Sequence, residues 1–325
     1  MKEMTYLSAF IEAMREEMER DERVFYFGQG AKAGGPYNTA AGLFERFGPG
    51  RVLDVPIAED SVLGCAVGAA LTGLRPIVEI LYVDFIFRAM DQLINQAAKY
   101  RYMTGGQMSV PLVIRTGCGY GSSRGAQHSQ SLEGTFLHFP GLKVVVPSNP
   151  ADAKGLFKAA VRDDDPVLIM DHFLLFGTRG PVPEGEHLVP LGKAEVKREG
   201  RDITVVALSL MVMEALRAAE ELSRAGIEIE VLDPRTLVPL DLEAIVQSVK
   251  KTNRLMVVEG GCKSGGVGSE IVARIVEEAF DYLDGPPVRL AVPDTPIPFA
   301  SAMEKFLLPG REKIVQEARR MMGKR

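Results

Sequence analysis

Short runs of apolar, often β-branched or aromatic residues recur along this chain, and most are followed by a stretch whose apolar residues return every three or four positions. Leu7, Phe10, Ile11, Met14 and Met18 trace one face of a helix. Val24-Phe25-Tyr26-Phe27 then reads as a buried strand that ends at Gly28. The pattern repeats with strands at 51–55, 76–81, 112–115, 142–146 and 167–170, and with helices over 61–74, over 88–102 and from Asn149-Pro150 onward. Strands that are apolar on both sides belong to a sheet covered on both faces. Strand–helix alternation of this kind therefore predicts an α/β fold, doubly wound around a mainly parallel sheet.

A chain of 325 residues has material for two domains of ordinary size. Six of the fourteen residues at 177–190 are Gly or Pro and periodicity disappears, so a linker is expected at 179–190 between a domain over 1–178 and a second over 191–325. The second domain repeats the alternation, with strands at 203–207, 228–232, 255–259 and 288–291 and helices at 212–225, 242–251 and 269–278. Gly226 is placed to end the first of these helices and Asp241 to cap the second.

Apolar residues make up 46% and charged residues 25%, which fits a folded globular chain and excludes disorder. The net charge of −5, with no Lys/Arg block, gives no nucleic-acid surface. No apolar run approaches the ~20 residues that span a bilayer, and Met1-Lys2-Glu3-Met4 does not read as a targeting segment. The expectation is a cytoplasmic protein with no membrane association. Cys65, Cys118 and Cys262 are odd in number and far apart, which argues against a disulfide framework or a structural zinc site. Cys65, among small apolar residues, is expected to serve packing.

The most suggestive polar residue is Glu59, a lone carboxylate closing the run Val55-Pro56-Ile57-Ala58 and followed by the small-residue stretch Gly64–Ala70. Held among apolar side chains, a carboxylate resists ionisation and can share a proton near neutral pH; as a helix N-cap it would do neither. Gly117–Gly125 follows a strand and has glycines that let a ligand approach backbone amides, although it lacks the third glycine of a dinucleotide fingerprint. His128 lies just beyond, in Ala126-Gln127-His128-Ser129-Gln130. His138 is flanked by apolar residues and reads as structural, and His172 ends a strand, where sites in open α/β sheets gather. In the second domain Gly265-Gly266-Val267-Gly268-Ser269 opens a helix, where either an anion or a close-packed interface fits.

In sequence order, these segments resemble the beta subunit of thiamin-diphosphate-dependent 2-oxoacid dehydrogenases, the decarboxylating component of the pyruvate, acetoin and branched-chain complexes. The resemblance covers essentially the whole chain. It is carried by Pro56-Ile57-Ala58-Glu59, Gly73-Leu74-Arg75-Pro76, Asp91-Gln92 with Asn95-Gln96-Ala97-Ala98-Lys99, Gln127-His128-Ser129-Gln130, Pro140-Gly141-Leu142-Lys143-Val144-Val145, Arg162-Asp163-Asp164-Asp165-Pro166 and Gly265-Gly266-Val267-Gly268-Ser269-Glu270.

The resemblance implies a pyrimidine-binding domain followed by a transketolase C-terminal domain, and an oxidoreductase acting on a 2-oxo acid or acetoin. It matches Glu59 to the glutamate that hydrogen-bonds the cofactor's aminopyrimidine, Phe85 to an aromatic beside that ring with Ile57 also at the cofactor, and His128 to a histidine that assists acyl transfer to a lipoyl group. Leu112, Ala160, Val161, Asp163 and Asp165 match positions that hold a structural potassium ion, largely through backbone carbonyls. No Gly-Asp-Gly followed by a later Asn, the family's grip on magnesium and diphosphate, occurs in this chain. The resemblance therefore implies an alpha subunit in an α2β2 heterotetramer, together with a lipoyl-bearing acyltransferase. Asp60 and Asp171-His172-Phe173 depart from the usual pattern, and Asp60 is expected to raise Glu59's proton affinity if the two are close. Ala126-Gln127 and Val83-Asp84-Phe85 favour a small donor, pyruvate or acetoin. Two rival readings are the C-terminal half of a split transketolase and a noncatalytic two-domain α/β binding or electron-transfer protein.

Overall fold

The structure, a computed structural model, describes residues 1–323. They form two compact units, Met1–Cys118 with His138–Leu191, and Gly119–Leu137 with Gly192 onward. The segment Gly119–Leu137 leaves the first unit and groups with the second, an excursion with too little periodicity to be visible in sequence. None of the helices among the described residues is long and apolar enough to cross a membrane.

The first unit opens with strand β1 (Lys2–Thr5) and helix α1 (Tyr6–Arg20), which begins where the Thr5 side chain accepts a hydrogen bond from Ser8 N at 3.1 Å. Strands β2 (Val24–Gln29), β3 (Val52–Val55), β4 (Arg75–Tyr82), β5 (Val113–Cys118), β6 (Lys143–Val145) and β7 (Val167–His172) lie in the order β6-β7-β5-β4-β2-β3, every pairing parallel. Helix α2 (Glu59–Leu71) connects β3 to β4, and α3 (Pro150–Arg162) connects β6 to β7. Strand β8 (Arg179–Val182), absent from the sequence reading, pairs antiparallel with β1. β5 and β7 are buried at every residue, as the unbroken apolar runs require.

Helix α1 lies against α3, and the seam carries charge. The buried Lys154 Nζ meets Glu12 at 2.8 Å and Glu16 at 2.7 Å, Lys158 meets Glu16 at 2.8 Å, and Arg162 meets the fully buried Glu17 at 2.6 Å. The helix expected over 88–102 is instead three wound pieces, a 3₁₀ turn at Val83–Ala89, a π-helical turn at Asp91–Ala97 and a short α-turn at Tyr100–Met103. Its buried residues Ala89, Leu93, Ala97 and Ala98 keep a spacing that reads as an ordinary helical face, so the change of winding leaves no mark in the sequence. Cys65 is exposed rather than packed, because Leu63, Ala66, Val67 and Ala70 take the inner face of α2.

In the second unit, strands β9 (Glu195–Arg198), β10 (Ile203–Ala207), β11 (Ile229–Asp233), β12 (Leu255–Cys262) and β13 (Val288–Val292) run in the order β13-β12-β10-β11-β9, parallel apart from the edge strand β9. Helices α4 (Leu210–Ser223), α5 (Leu242–Thr252) and α6 (Val267–Ala279) connect them, and α7 (Ser301–Leu307) and α8 (Arg311–Met321) follow. Asp241 caps α5 as expected, accepting from Ala244 N at 3.3 Å. The core gathers Val205, Ala207, Ala215, Leu222, Val231, Met256 and Ile314, and Tyr120 from the excursion joins it. Each unit is thus an α/β sheet covered by helices, in agreement with the fold the alternation predicts.

Candidate functional site

Glu59 is the first residue of α2, just beyond the carboxyl end of β3, and Ala58 occupies the capping position without a side-chain hydrogen bond. Glu59 and Asp60 both fall in the first turn, where the unpaired backbone N–H groups favour negative charge. Arg88 Nε lies 3.6 Å from Glu59 Oε2. The apolar enclosure suggested by the sequence is not built from its immediate neighbours: Val55 is half-buried, Pro56 is exposed and Ile57 is 70% exposed. The reason is position, since the chain leaves the sheet at Val55 and these side chains have no further layer of this unit over them. Asp60 turns its Oδ1 to Ser61 N at 2.8 Å.

Phe85 is half-buried in an aromatic cluster. Its ring meets Tyr82 edge-on at 6.1 Å; Tyr82 in turn packs on Phe173 at 5.3 Å, and Phe173 on Tyr37 at 5.3 Å, with the Tyr37 and Tyr82 hydroxyls 2.5 Å apart. Gly117 has to be glycine here, because a Cβ would overlap the Phe173 ring and lie 2.9 Å from Leu81 O. Beneath the cluster Arg115 is 2% exposed, bonded to Glu79 at 2.7 Å and to Asp171 at 2.6 Å, with its guanidinium 4.2 Å from the Phe10 ring centroid. Tyr6 Oη donates to the other Asp171 oxygen. Burial and the Asp171 charge beside it push the Tyr6 phenol well above its ordinary value. Asp171 is therefore a buried structural partner, and His172 Nδ1 accepts from Leu174 N at 3.2 Å.

The positions matched to a potassium ion come together around the end of α3. Val161 O and Asp163 O accept from Arg75, at 2.9 and 2.6 Å; Ala160 O accepts from Asp163 N and Leu112 O from Val167 N. Lys143 Nζ bridges Asp163 at 2.6 Å and Asp165 at 3.2 Å, Arg101 meets Asp165 at 2.7 Å, and Arg75 meets Asp164 at 3.2 Å. Burial opposes ionisation of Asp165, but hydrogen bonds from Arg101 and Lys143 hold its carboxyl below the ordinary range. Three carboxylates thus already face three cations, and what is left for a further cation is the second lone pair of each carbonyl. Among the described residues, no three or more His, Cys, Asp or Glu side chains cluster as metal ligands.

His128 belongs to the second unit, half-buried, with its N–H on Gly125 O at 3.3 Å. The loop before it is fastened from inside the same unit, since the buried Glu304 accepts from Gly121 N at 2.6 Å and from Ser123 N at 3.3 Å. Two of the loop's amides are thereby occupied, and Gly119 N donates to Gln130 O at 3.0 Å. The same holds at the start of α6, where Glu259 Oε2 accepts from Val267 N at 2.8 Å and Oε1 from Gly268 N at 2.9 Å. Neither carboxylate has a sequence signal, as each reaches its loop from a distant or differently patterned segment. His138 is exposed and stacks edge-on against Phe139.

Residues 2–175 match the transketolase pyrimidine binding domain and residues 192–314 the transketolase C-terminal domain. A split-gene transketolase, an inactive β4 tetramer, shares the fold with a TM-score of 0.81 at 23% identity, covering 98% of each chain. At the level of class, the chain is a two-domain transketolase-like protein. Closer relatives narrow this. The chain is 45% identical to the beta subunit of acetoin:2,6-dichlorophenolindophenol oxidoreductase of Bacillus subtilis, covering 97% of this chain and 96% of the relative. It is 46% identical to the 2-oxoisovalerate dehydrogenase subunit beta of the same organism, covering 97% of each, and 45% identical to the pyruvate dehydrogenase E1 component subunit beta of Rhizobium meliloti, covering 97% of this chain and 69% of that one. The chain belongs to the beta subunits of the thiamin-diphosphate-dependent pyruvate, acetoin and branched-chain dehydrogenases.

Proposed function

We propose that this chain supplies the aminopyrimidine side of a thiamin-diphosphate site in an enzyme that cleaves a small 2-oxo acid or acetoin and passes the acyl group to a lipoyl-bearing partner. The observation that carries this reading is Glu59 in the first turn of α2, beyond the carboxyl end of a parallel strand, with Ile57 bare beside it and Phe85 fixed by Tyr82. A carboxyl, an exposed apolar side chain and a braced aromatic ring are what a flat, basic, partly apolar heterocycle needs. Thiamin diphosphate, when bound, supplies a carbon nucleophile for attack on a carbonyl. Glu59 would hold the proton at the ring nitrogen of the aminopyrimidine, Ile57 and Phe85 would pack against that ring, and His128 would move a proton at the acyl group during its transfer.

The diphosphate and magnesium ligands are assigned to an alpha subunit, because the Gly-Asp-Gly motif is missing from this sequence. The outer face of α2 supports such a pairing: Gly64, Cys65, Gly68 and Ala69 leave an apolar helix uncovered on one side, and a helix apolar all round is normally buried. An α2β2 assembly follows. Potassium, if bound, would use the carbonyls of Leu112, Ala160, Val161 and Asp163 with Asp165. The preference for pyruvate or acetoin over a branched donor rests on Ala126-Gln127 and Val83-Asp84-Phe85, because identity to the three types is nearly equal.

Calorimetric titration of thiamin diphosphate in magnesium buffer tests the division of labour. Binding is expected only after the chain is mixed with an alpha subunit. Full-affinity magnesium-dependent binding to the chain alone would refute it.

A further inference from the structure

The second unit contains a half-open cleft of about 680 Å³, lined on one side by Ala126, Gln127, Ser129 and Gln130, the neighbours of His128 in sequence. One wall comes from the excursion, the other from the end of β12 and the loops after β12 and β13. The two walls meet where Gly134 faces the Gly265-Gly266 turn, so closely that a Cβ on Gly134 would overlap Gly265 O and lie 3.2 Å from Gly266 Cα. No lysine or arginine lines the cleft, so it offers nothing to a carboxylate or phosphate. Its charged lining residues are Glu259 and Asp294. Both Asp294 oxygens are engaged by Ser264, whose N and Oγ lie at 3.0 and 2.5 Å.

Glu259 is 3% exposed, and each of its oxygens accepts one backbone N–H from the start of α6. A carboxylate accepts about four hydrogen bonds, so acceptor capacity remains. Ser129, 1% exposed, lines the cleft with a buried Oγ that has no hydrogen-bond partner, and Ser131 Oγ beside it is in the same condition. Orphaned buried hydroxyls are uncommon in folded proteins and point to a missing partner. Behind them Glu133, 6% exposed, stands across Gly261 from Glu259: a Cβ there would lie 3.9 Å from Glu133 Oε2 and 3.7 Å from Glu259 Oε2. The remaining walls mix apolar Leu132, Val292, Pro296 and Ile297 with polar Gln127, Gln130, Thr135 and Thr295.

From this arrangement we infer that the cleft binds a small molecule carrying a primary ammonium on a short apolar body, the ammonium on Glu259 and the two serine hydroxyls. An ammonium brings three donors and no acceptor, which is the complement of an acceptor-rich, cation-free end. Its charge meets a carboxylate that no cation pairs within the cleft, and charge-assisted hydrogen bonds are the strong kind. Arg289, whose charge favours the ionised form of Glu259, makes its own hydrogen bonds to Lys263 O at 2.8 Å and Ser269 Oγ at 2.5 Å.

The test uses the full chain, alone and then in its assembled complex, with n-butylammonium, n-butanol and butyrate as calorimetric probes. Butylammonium should bind at least about tenfold more tightly than butanol, the difference expected when a hydrogen bond to a charged group is lost, and butyrate should not bind. Glu259→Gln and, independently of any effect on the α6 cap, Ser129→Ala should each weaken butylammonium binding several-fold and leave butanol unchanged. Equal binding of the amine and the alcohol, or unchanged amine binding in both variants, would overturn the inference. So would amine binding that vanishes in the assembled complex, which would mean that a partner's basic side chain fills the cleft. These outcomes do not depend on where thiamin diphosphate binds.

Discussion

Glu133→Gln should stabilise the chain at alkaline pH and leave it unchanged in acid. Burial of the Glu133 carboxyl, with the Glu259 charge opposite it, pushes it up from its ordinary 4.5 to about 7. Since the folded chain binds this proton more tightly than the unfolded chain does, proton uptake favours folding. Below about pH 4.5 both states hold the proton and the site costs nothing. Between there and about pH 7 the unfolded chain ionises first, and above that range the folded chain carries the whole penalty. At about 1.4 kcal/mol for each tenfold change in proton affinity, the gap corresponds to about 3 kcal/mol. Glutamine keeps the shape and cannot ionise, so the difference between variant and parent in urea unfolding should grow from near zero at pH 4.5 to about 3 kcal/mol at pH 8.5. Infrared difference spectra should show a protonated carboxyl band at pH 6 that fades by pH 8.5 and is missing from the variant. A stability difference that stays flat across this range would refute the reasoning.

Arg115→Met removes the cation shared by Glu79 and Asp171 and leaves two buried carboxylates, a loss of about 3–5 kcal/mol in urea unfolding; a cost below about 1 kcal/mol would show that the network is not what holds these strands. Glu59→Gln should leave the unfolding curve in place while lowering turnover of the assembled enzyme about 100- to 10,000-fold, the usual range for lost proton transfer; near-normal turnover removes Glu59 from the reaction. His128→Ala should slow acyl transfer to lipoyl far more than it weakens thiamin diphosphate binding, and equal effects on both would make it a packing residue. Replacing sodium by potassium should raise the melting temperature if the carbonyls of Leu112, Ala160, Val161 and Asp163 hold the ion, and no change at saturating potassium would mean that Arg75 and Lys143 already complete the charge balance there.

Much of the sheet was legible because parallel strands buried on both faces leave short, β-branched apolar runs bounded by turn residues, and the strands at 76–81, 112–115, 167–170 and 203–207 appear close to where the runs fall. What failed to show was governed by contacts rather than by period. Strands β1 and β8 are short and pair with each other, so neither carries an alternation long enough to read. Positions 88–102 read as one helix because apolar residues recur there at helical spacing, and that spacing does not reveal the break into 3₁₀, π and α turns. Glu59 stands out by its place after an apolar run, and its side chain is only 13% exposed, yet Pro56 and Ile57 face outward and do not supply that cover. The sequence marks the carboxylate and cannot say whose atoms surround it.

The two glycine-rich loops show a deeper reason for the limit. Read alone, Gly117–Gly125 and Gly265–Ser269 have the composition of anion-binding loops, and their amides do bind anions. The anions are side chains of the same unit. Glu304, 183 residues from Gly121, fastens the loop that carries His128, and Glu259 fastens the start of α6. A free phosphate at either place would have to displace a buried carboxylate. The physics that makes such loops look like sites is satisfied internally, each Glu259 oxygen already holding one amide, while the buried hydroxyls of Ser129 and Ser131 find no hydrogen-bond partner. Glycine content therefore marks backbone amides that take up anions, and here those anions are the chain's own carboxylates.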